Sequence, residues 1–247
     1  MPESRRLLHP PITEAIIDFR ADLGVGFDVS RLREAEDLLS GRYLLVNEQL
    51  LFSRTIPLMG DAPPAAVDNG DPVLIGYTFR SPDERFVAQL TVEGLTLSQL
   101  HGYTRWEDLE EEAAHLWDVY SRVAAPKTVL RMGTRFLNAV QVPRSAASLD
   151  EYFTTVPRVP AGVSQTAASF LVRLLLHEEE SPYSVSITQY IETPDDSSRM
   201  ILDIDAFSRE TYEPDASMMW EALGGLRELK NRVFFGSLTE KALGLFE

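Results

Sequence analysis

There is no cysteine in the chain. Disulfides, thiolate nucleophiles and cysteine-ligated zinc or iron–sulfur clusters are thereby excluded, and a reducing, cytoplasmic location is expected. Histidine is scarce as well. His9, His101, His115 and His177 are all there are; no two stand at metal-ligand spacing, and no HExxH occurs. Neither a metal nor a cofactor is expected. No run approaches the ~18 consecutive apolar residues of a membrane helix, and the opening MPESRRLLHPPITE holds no apolar stretch of signal-peptide length. GVG at 24–26 is not a GxGxxG, PLMGDAPP at 57–64 lacks the G-K-[ST] ending of a P-loop, and no GxSxG elbow for an acyl-transfer serine exists.

Positive charge is in deficit. Lys and Arg number 23 against 38 Asp and Glu, a formal charge of −15. Such a surface repels a phosphodiester backbone within a Debye length, so nucleic acid is not an expected partner. The balance suits a solvated acidic surface or a basic or polar protein or ligand. What is present is ordinary for a folded protein: 44% hydrophobic and 25% charged residues over 247 positions, enough to bury a core without staples.

The order of patterns occurs twice. In residues 1–126, EAIIDFRADL reads as a strand, and Asp28 caps a short helix in VSRLREAEDLL. Extended RYLLVNEQLLFSRTI follows, then a loop at 57–72. A meander of VLIGYTFR, RFVAQLTV and LTLSQLHGY turns at Pro/Asp and Gly. A long helix then starts from a Thr104–Glu107 capping box, with Trp106, Leu109, Ala113, Leu116, Trp117 and Tyr120 on its apolar stripe. In residues 127–247, KTVLRMGTRFLNAVQV is a strand and Ser148–Glu151 caps a short LDEYF helix. SFLVRLLLH, YSVSITQYIE and RMILDIDAF form a second meander, turning at EEESP and TPDDSS. A second long helix begins at Pro214, and a last one is capped by Ser237 and Glu240. The expected class is α+β: two pseudo-repeated halves sharing one antiparallel sheet, with long helices on one face. In topology alone this resembles the duplicated layout of the TATA-box-binding protein.

PPITEAIIDFR at the start, GYTFRSPD, RFLNAVQVP at 135–143, LDIDAF at 202–207 and FFGSLTEKAL at 234–243 occur in this order. Together they resemble a sporadically distributed family of bacterial proteins of this length with no assigned function. The resemblance implies a bacterial protein built of this one unit and brings no activity, catalytic residue or cofactor.

The charged residues on the strands are the candidate site. Alternation puts Glu14, Asp18 and Arg20 on one face of the first strand, and Arg131 and Arg135 on one face of its counterpart. If the two strands lie side by side, Asp18 or Glu14 meets Arg131 or Arg135 as a cross-strand pair. Asp203 and Asp205 share a face of the LDIDAF strand, the sharpest carboxylate pair in the chain. The expected site is a polar binding face of Glu14, Asp18, Arg20, Arg131, Arg135, Asn138, Asp203 and Asp205 on the uncovered side of the sheet, with no catalytic residue assigned. It would serve a binding or protein-interaction module, and a homo-oligomer is allowed. The alternative is a carboxylate or metal-assisted enzyme around Asp203 and Asp205, in which Arg131 or Arg135 steers an anionic substrate.

Overall fold

The computed structural model describes residues 7–52, 54–55, 67–68, 71–142, 149–158, 160, 162, 169–192 and 198–247. The greater part of the 57–72 loop, Ser148 of the expected capping box, Pro143 and the 193–197 turn lie outside these residues.

β1 (Ile12–Asp22) alternates buried and wetter positions along its length, as the period-two pattern requires. Asp28 then accepts from the Ser30 amide at 3.0 Å and caps a 3-10 turn, Val29–Glu34, which runs into α1 (Ala35–Leu38). After β2 (Leu44–Leu51), β3 (Arg54–Thr55) and β4 (Val67–Asp68) pair only with each other. The meander is β5 (Val73–Arg80), β6 (Phe86–Thr91) and β7 (Gly94–Gln99). α2 spans Trp106–Ala124 and β8 spans Thr128–Val142. The second meander is β9 (Leu171–His177), β10 (Tyr183–Glu192) and β11 (Ser198–Ser208), followed by α3 (Ser217–Ser237) and α4 (Glu240–Leu243).

Nine strands form one antiparallel sheet in the order β2-β5-β6-β7-β1-β8-β11-β10-β9. Strands from both sides of residue 126 therefore share a single sheet, joined by β1 and β8. There Ile16 pairs with Arg135, Asp18 with Gly133 and Arg20 with Arg131. Gly94 marks a place where no other residue fits: its φ is +138°, and a Cβ would lie 1.9 Å from the Phe19 carbonyl oxygen.

α2 and α3 cover one face. Ala15, Ile17 and Phe19 of β1, Met132 and Phe136 of β8, and Leu202 and Ile204 of β11 bury against them. The Phe19 ring lies 4.9 Å from Trp117 and 5.6 Å from Trp220, so the seam strand touches both helices. Arg227 of α3 pairs with Glu107 of α2 at 3.0 Å. The C-terminal segment docks on its own chain: Leu238, Ala242 and Leu243 are buried, and the His9 amide donates to the Phe246 carbonyl at 3.0 Å.

Several expectations are corrected. The chain is predominantly sheet and does not belong to the α+β class with long helices as an equal layer; the duplicated TATA-box-binding-protein layout falls with that class. Apart from α2 and α3, the helices are single turns, because the VSRLREAEDLL and LDEYF segments settle mainly into 3-10 turns. The two sides of the seam are unequal, five strands against four. Thr104 does not cap α2: Arg105 holds that position, and the Thr104 hydroxyl donates instead to Asp108 at 3.0 Å. α3 starts at Ser217 rather than Pro214, whose carbonyl accepts from the Trp117 indole at 2.8 Å. Thr239, not Ser237, caps α4, accepting from the Ala242 amide.

Candidate binding face

The sheet face turned away from α2 and α3 carries the charged residues. In an antiparallel ladder, side chains at directly paired positions point the same way. β1, β8 and β11 therefore bring one row of charges from each strand into a single cluster.

Arg131 is its centre. Its Nη1 donates to Asp18 Oδ2 at 2.6 Å, and its Nη2 donates to both oxygens of Asp205 at 3.2 and 3.3 Å. The guanidinium carbon sits 4.6 Å from the centroid of Phe207, a cation–π contact. Gly133 makes this arrangement possible. A Cβ there would come within 2.8 Å of Asp18 Oδ1 and 3.0 Å of Arg131 Nη1, so the ion pair occupies the space a side chain would take. Arg135 grips Asp203 with two parallel bonds, Nε to Oδ1 at 2.8 Å and Nη2 to Oδ2 at 2.7 Å. This fork geometry is the strongest form of the pair. Arg20 extends the cluster outward, 3.9 Å from Asp18 and hydrogen-bonded to Glu93 of the β6–β7 turn.

Burial and charge act on these groups unequally. Asp203 is only 8% exposed although no helix of the described residues lies above it, while Arg135 is among the exposed residues. The Asp205 carboxyl is pushed above the usual aspartate range, chiefly by burial; the charges of Asp18 and Asp203 add to this, and those of Arg131 and Arg135 oppose it. Arg135 is held more firmly protonated by its bonds to Asp203, with the charges of Asp203, Asp205 and Glu14 adding to the effect.

The Asp18–Arg131 pair forms as the strand alternation leads one to expect, and Glu14 flanks it on the same face. Asn138 does not belong to this face. It is 1% exposed, shares the parity of Met132 and Phe136, and donates to the Phe136 and Leu202 carbonyls at 3.2 and 3.0 Å. Leu130, unlike Asn138, departs from the alternation, because a register shift beside Arg131 turns it out into water. Asp203 and Asp205 lie on one face, but each is engaged by a different arginine. Among the described residues, no group of three or more potential metal ligands converges.

Two charged residues escaped the sequence reading. Glu112 of α2 is buried, accepting from the Tyr43 hydroxyl at 2.9 Å and from Arg42 Nε at 3.2 Å. It lines an open cleft of about 330 Å3 with Gly41, Ser81, Asp83 and Phe86. The Tyr43 hydroxyl is pushed far above its usual value, first by burial and then by the Glu112 charge. Lys230 of α3 is buried with its Nζ 3.8 Å from the Phe136 centroid, donating to Asn231 Oδ1 at 2.6 Å. The signal for both is positional: Glu112 falls between Leu109 and Leu116, and Lys230 between Leu226 and Val233, on the apolar stripes of their helices.

No helix of the described residues is long and apolar enough to cross a membrane. No protein-family model matches the chain, and no curated protein matches it.

Proposed function

We propose that the chain is a bacterial cytoplasmic binding module of the sporadically distributed family its motifs resemble, and that it receives a polar or basic partner on the uncovered sheet face around Arg131 and Arg135. The observation that carries this reading is the pre-ordering of the cluster. Three strands hold Asp18, Arg131, Asp205, Arg135 and Asp203 in fixed, mutually bonded positions on a face over which no helix of the described residues lies. A solvated surface needs no such order, because exposed ion pairs contribute little to stability. A docking surface gains from it, since groups already fixed lose less entropy when a partner arrives. Arg135 and Arg20 keep their outer parts in water, and the acidic groups outnumber the arginines, as suits a basic or polar partner.

The alternative, a carboxylate or metal-assisted enzyme at Asp203 and Asp205, is disfavoured by the same geometry. Arginines occupy the oxygens that a cation or a reacting proton would need. Affinity capture from the source organism, run in parallel with the native chain and with Arg135→Ala, tests the binding reading: a partner retained by the first and depleted by the second supports it. Equal recovery by both, or a rise in melting temperature with manganese or magnesium that Asp203→Ala abolishes, would turn the assignment to the alternative.

A further inference from the structure

The cleft beside Glu112 lies apart from the charged face. Arg42 and Tyr43 line it from the segment before β2, Pro82, Asp83 and Phe86 from the β5–β6 hairpin, and Glu112 from α2. A carboxylate at a buried position of a helix is costly. Pairing it with an arginine is on balance no more stabilising than an apolar side chain would be. The use of Glu112 is positional. It accepts from Arg42 Nε at 3.2 Å and from Arg42 Nη2, and from the Tyr43 hydroxyl at 2.9 Å. The guanidinium is held in this way although about half of the Arg42 side chain is exposed. Its Nη1 has no hydrogen-bond partner among the described residues.

Asp83 follows the same plan. Its Oδ1 accepts from the Ser81 hydroxyl at 2.6 Å and from the Arg85 amide at 3.1 Å. The Ser81 hydroxyl in turn accepts from the Phe86 amide at 2.9 Å, so side-chain bonds fix the whole turn. Oδ2 of Asp83 has no hydrogen-bond partner among the described residues. Each charged group thus spends one part in fixing itself and keeps another part free. Arg42 offers a cationic donor and Asp83 an anionic acceptor. Between them stand the rings of Tyr43, Pro82 and Phe86, the last with the Arg85 guanidinium 5.0 Å from its centroid.

This pair of groups selects the ligand. A lone anion would meet Arg42 but also face Glu112 and Asp83, and a lone cation would meet Asp83 but face Arg42. A zwitterion complements both. The size of the cleft limits its length, since 330 Å3 is roughly 9 Å across if rounded. A charge-assisted hydrogen bond of about 2.8 Å at each end leaves about 3 Å between the charged atoms of the ligand. That is about the distance from the ammonium to a carboxylate oxygen in an α-amino acid. We infer that the cleft is a site for a free α-amino acid with an apolar side chain. Its carboxylate accepts from Arg42 Nη1, its ammonium donates to Asp83 Oδ2, and its side chain lies against Tyr43, Pro82 and Phe86. Glu112 is a positioning residue, which touches Arg42 and not the ligand. The site shares no residue with the charged cluster of the sheet and stands apart from the proposed function.

Isothermal titration calorimetry of the full chain with L-leucine, L-methionine and L-phenylalanine tests it. At least one of the three is expected to bind saturably, with a dissociation constant of about 1 mM or tighter. Its methyl ester lacks the carboxylate charge and its N-acetyl derivative lacks the ammonium, so each should bind about tenfold or more weakly. Arg42→Gln should weaken the amino acid by a similar factor and remove its advantage over the ester. Asp83→Asn should do the same for its advantage over the N-acetyl derivative. Asp83→Asn keeps the Oδ1 acceptor of the turn, so it decides the matter if circular dichroism finds Arg42→Gln, which strips Glu112 of its partner, unfolded. The inference is overturned if none of the three amino acids reaches that affinity, or if the ester and the N-acetyl derivative bind as well as the amino acid. Unchanged binding by Asp83→Asn, or by a folded Arg42→Gln, overturns it too.

Discussion

Arg131 Nη1 donates to Asp18 Oδ2 at 2.6 Å, joining β8 to β1 across the seam where the two parts of the chain share a sheet. The same guanidinium reaches Asp205 on the strand beyond, so one side chain ties three neighbouring strands together.

The two aspartates of β11 are expected to respond differently to neutralisation. Asp203 accepts both bonds of a bidentate arginine, so Asp203→Asn should destabilise by about 1–2 kcal/mol at neutral pH. Asp205 is held above the usual aspartate range by burial. A raised carboxyl binds its proton more tightly folded than unfolded. Its contribution therefore favours the fold at pH below the ordinary aspartate value and declines as pH rises to the raised one. Asp205→Asn should then change stability by no more than about 0.5 kcal/mol at neutral pH and remove that acid-side dependence. Urea denaturation at several pH values measures both.

Gly133→Ala should cost about as much as Arg131→Ala, roughly 1–2 kcal/mol, and the double variant little more than either. The atoms a methyl would meet at Gly133 are the ends of the Asp18 and Arg131 side chains, which can swing away once their bond is given up. At Gly94 the obstacle is backbone, so Gly94→Ala should cost more than about 3 kcal/mol. A double-mutant cycle by thermal denaturation separates the two kinds of glycine.

Lys230 offers a pH test. Burial, with the Arg227 charge adding, pushes its amine down to about 7. The unfolded chain then holds the proton more tightly than the folded one, so this group makes stability rise with pH from about 7 towards the ordinary lysine value. Lys230→Met should stabilise by roughly 1–3 kcal/mol at neutral pH, and its advantage should shrink as pH rises through that window. Melting curves of the two proteins across the window check the sign.

How much of this was legible follows from which residues obey a simple period. Asp18 and Arg131 could be paired from sequence because both strands alternate regularly and lie side by side. Strict alternation sets Leu130 on the face of Met132 and Phe136, but a bulge shifts parity there without leaving a mark in composition. Asn138 was drawn to the polar face by its chemistry, although its parity with Met132 and Phe136 pointed to the core. Glu112 and Lys230 were hidden by the habit of assigning charge to the wet side of a helix, when both stand on the apolar stripe. The capping boxes at Thr104 and Ser237 match the pattern, but the cap positions lie one and two residues further on, at Arg105, whose side chain makes no capping bond, and at Thr239, whose side chain does.

The binding reading rests on the charge pattern of the uncovered face, and exchanging one pair tests it most directly. In the double variant Arg135→Asp with Asp203→Arg, the ion pair is kept and its polarity reversed, so the fold should keep its melting temperature within a few degrees. Side-by-side affinity capture should then recover the native partner with the native chain and lose it with the swapped one. Recovery of the same partner by both, at equal yield and with both proteins folded, would contradict the account.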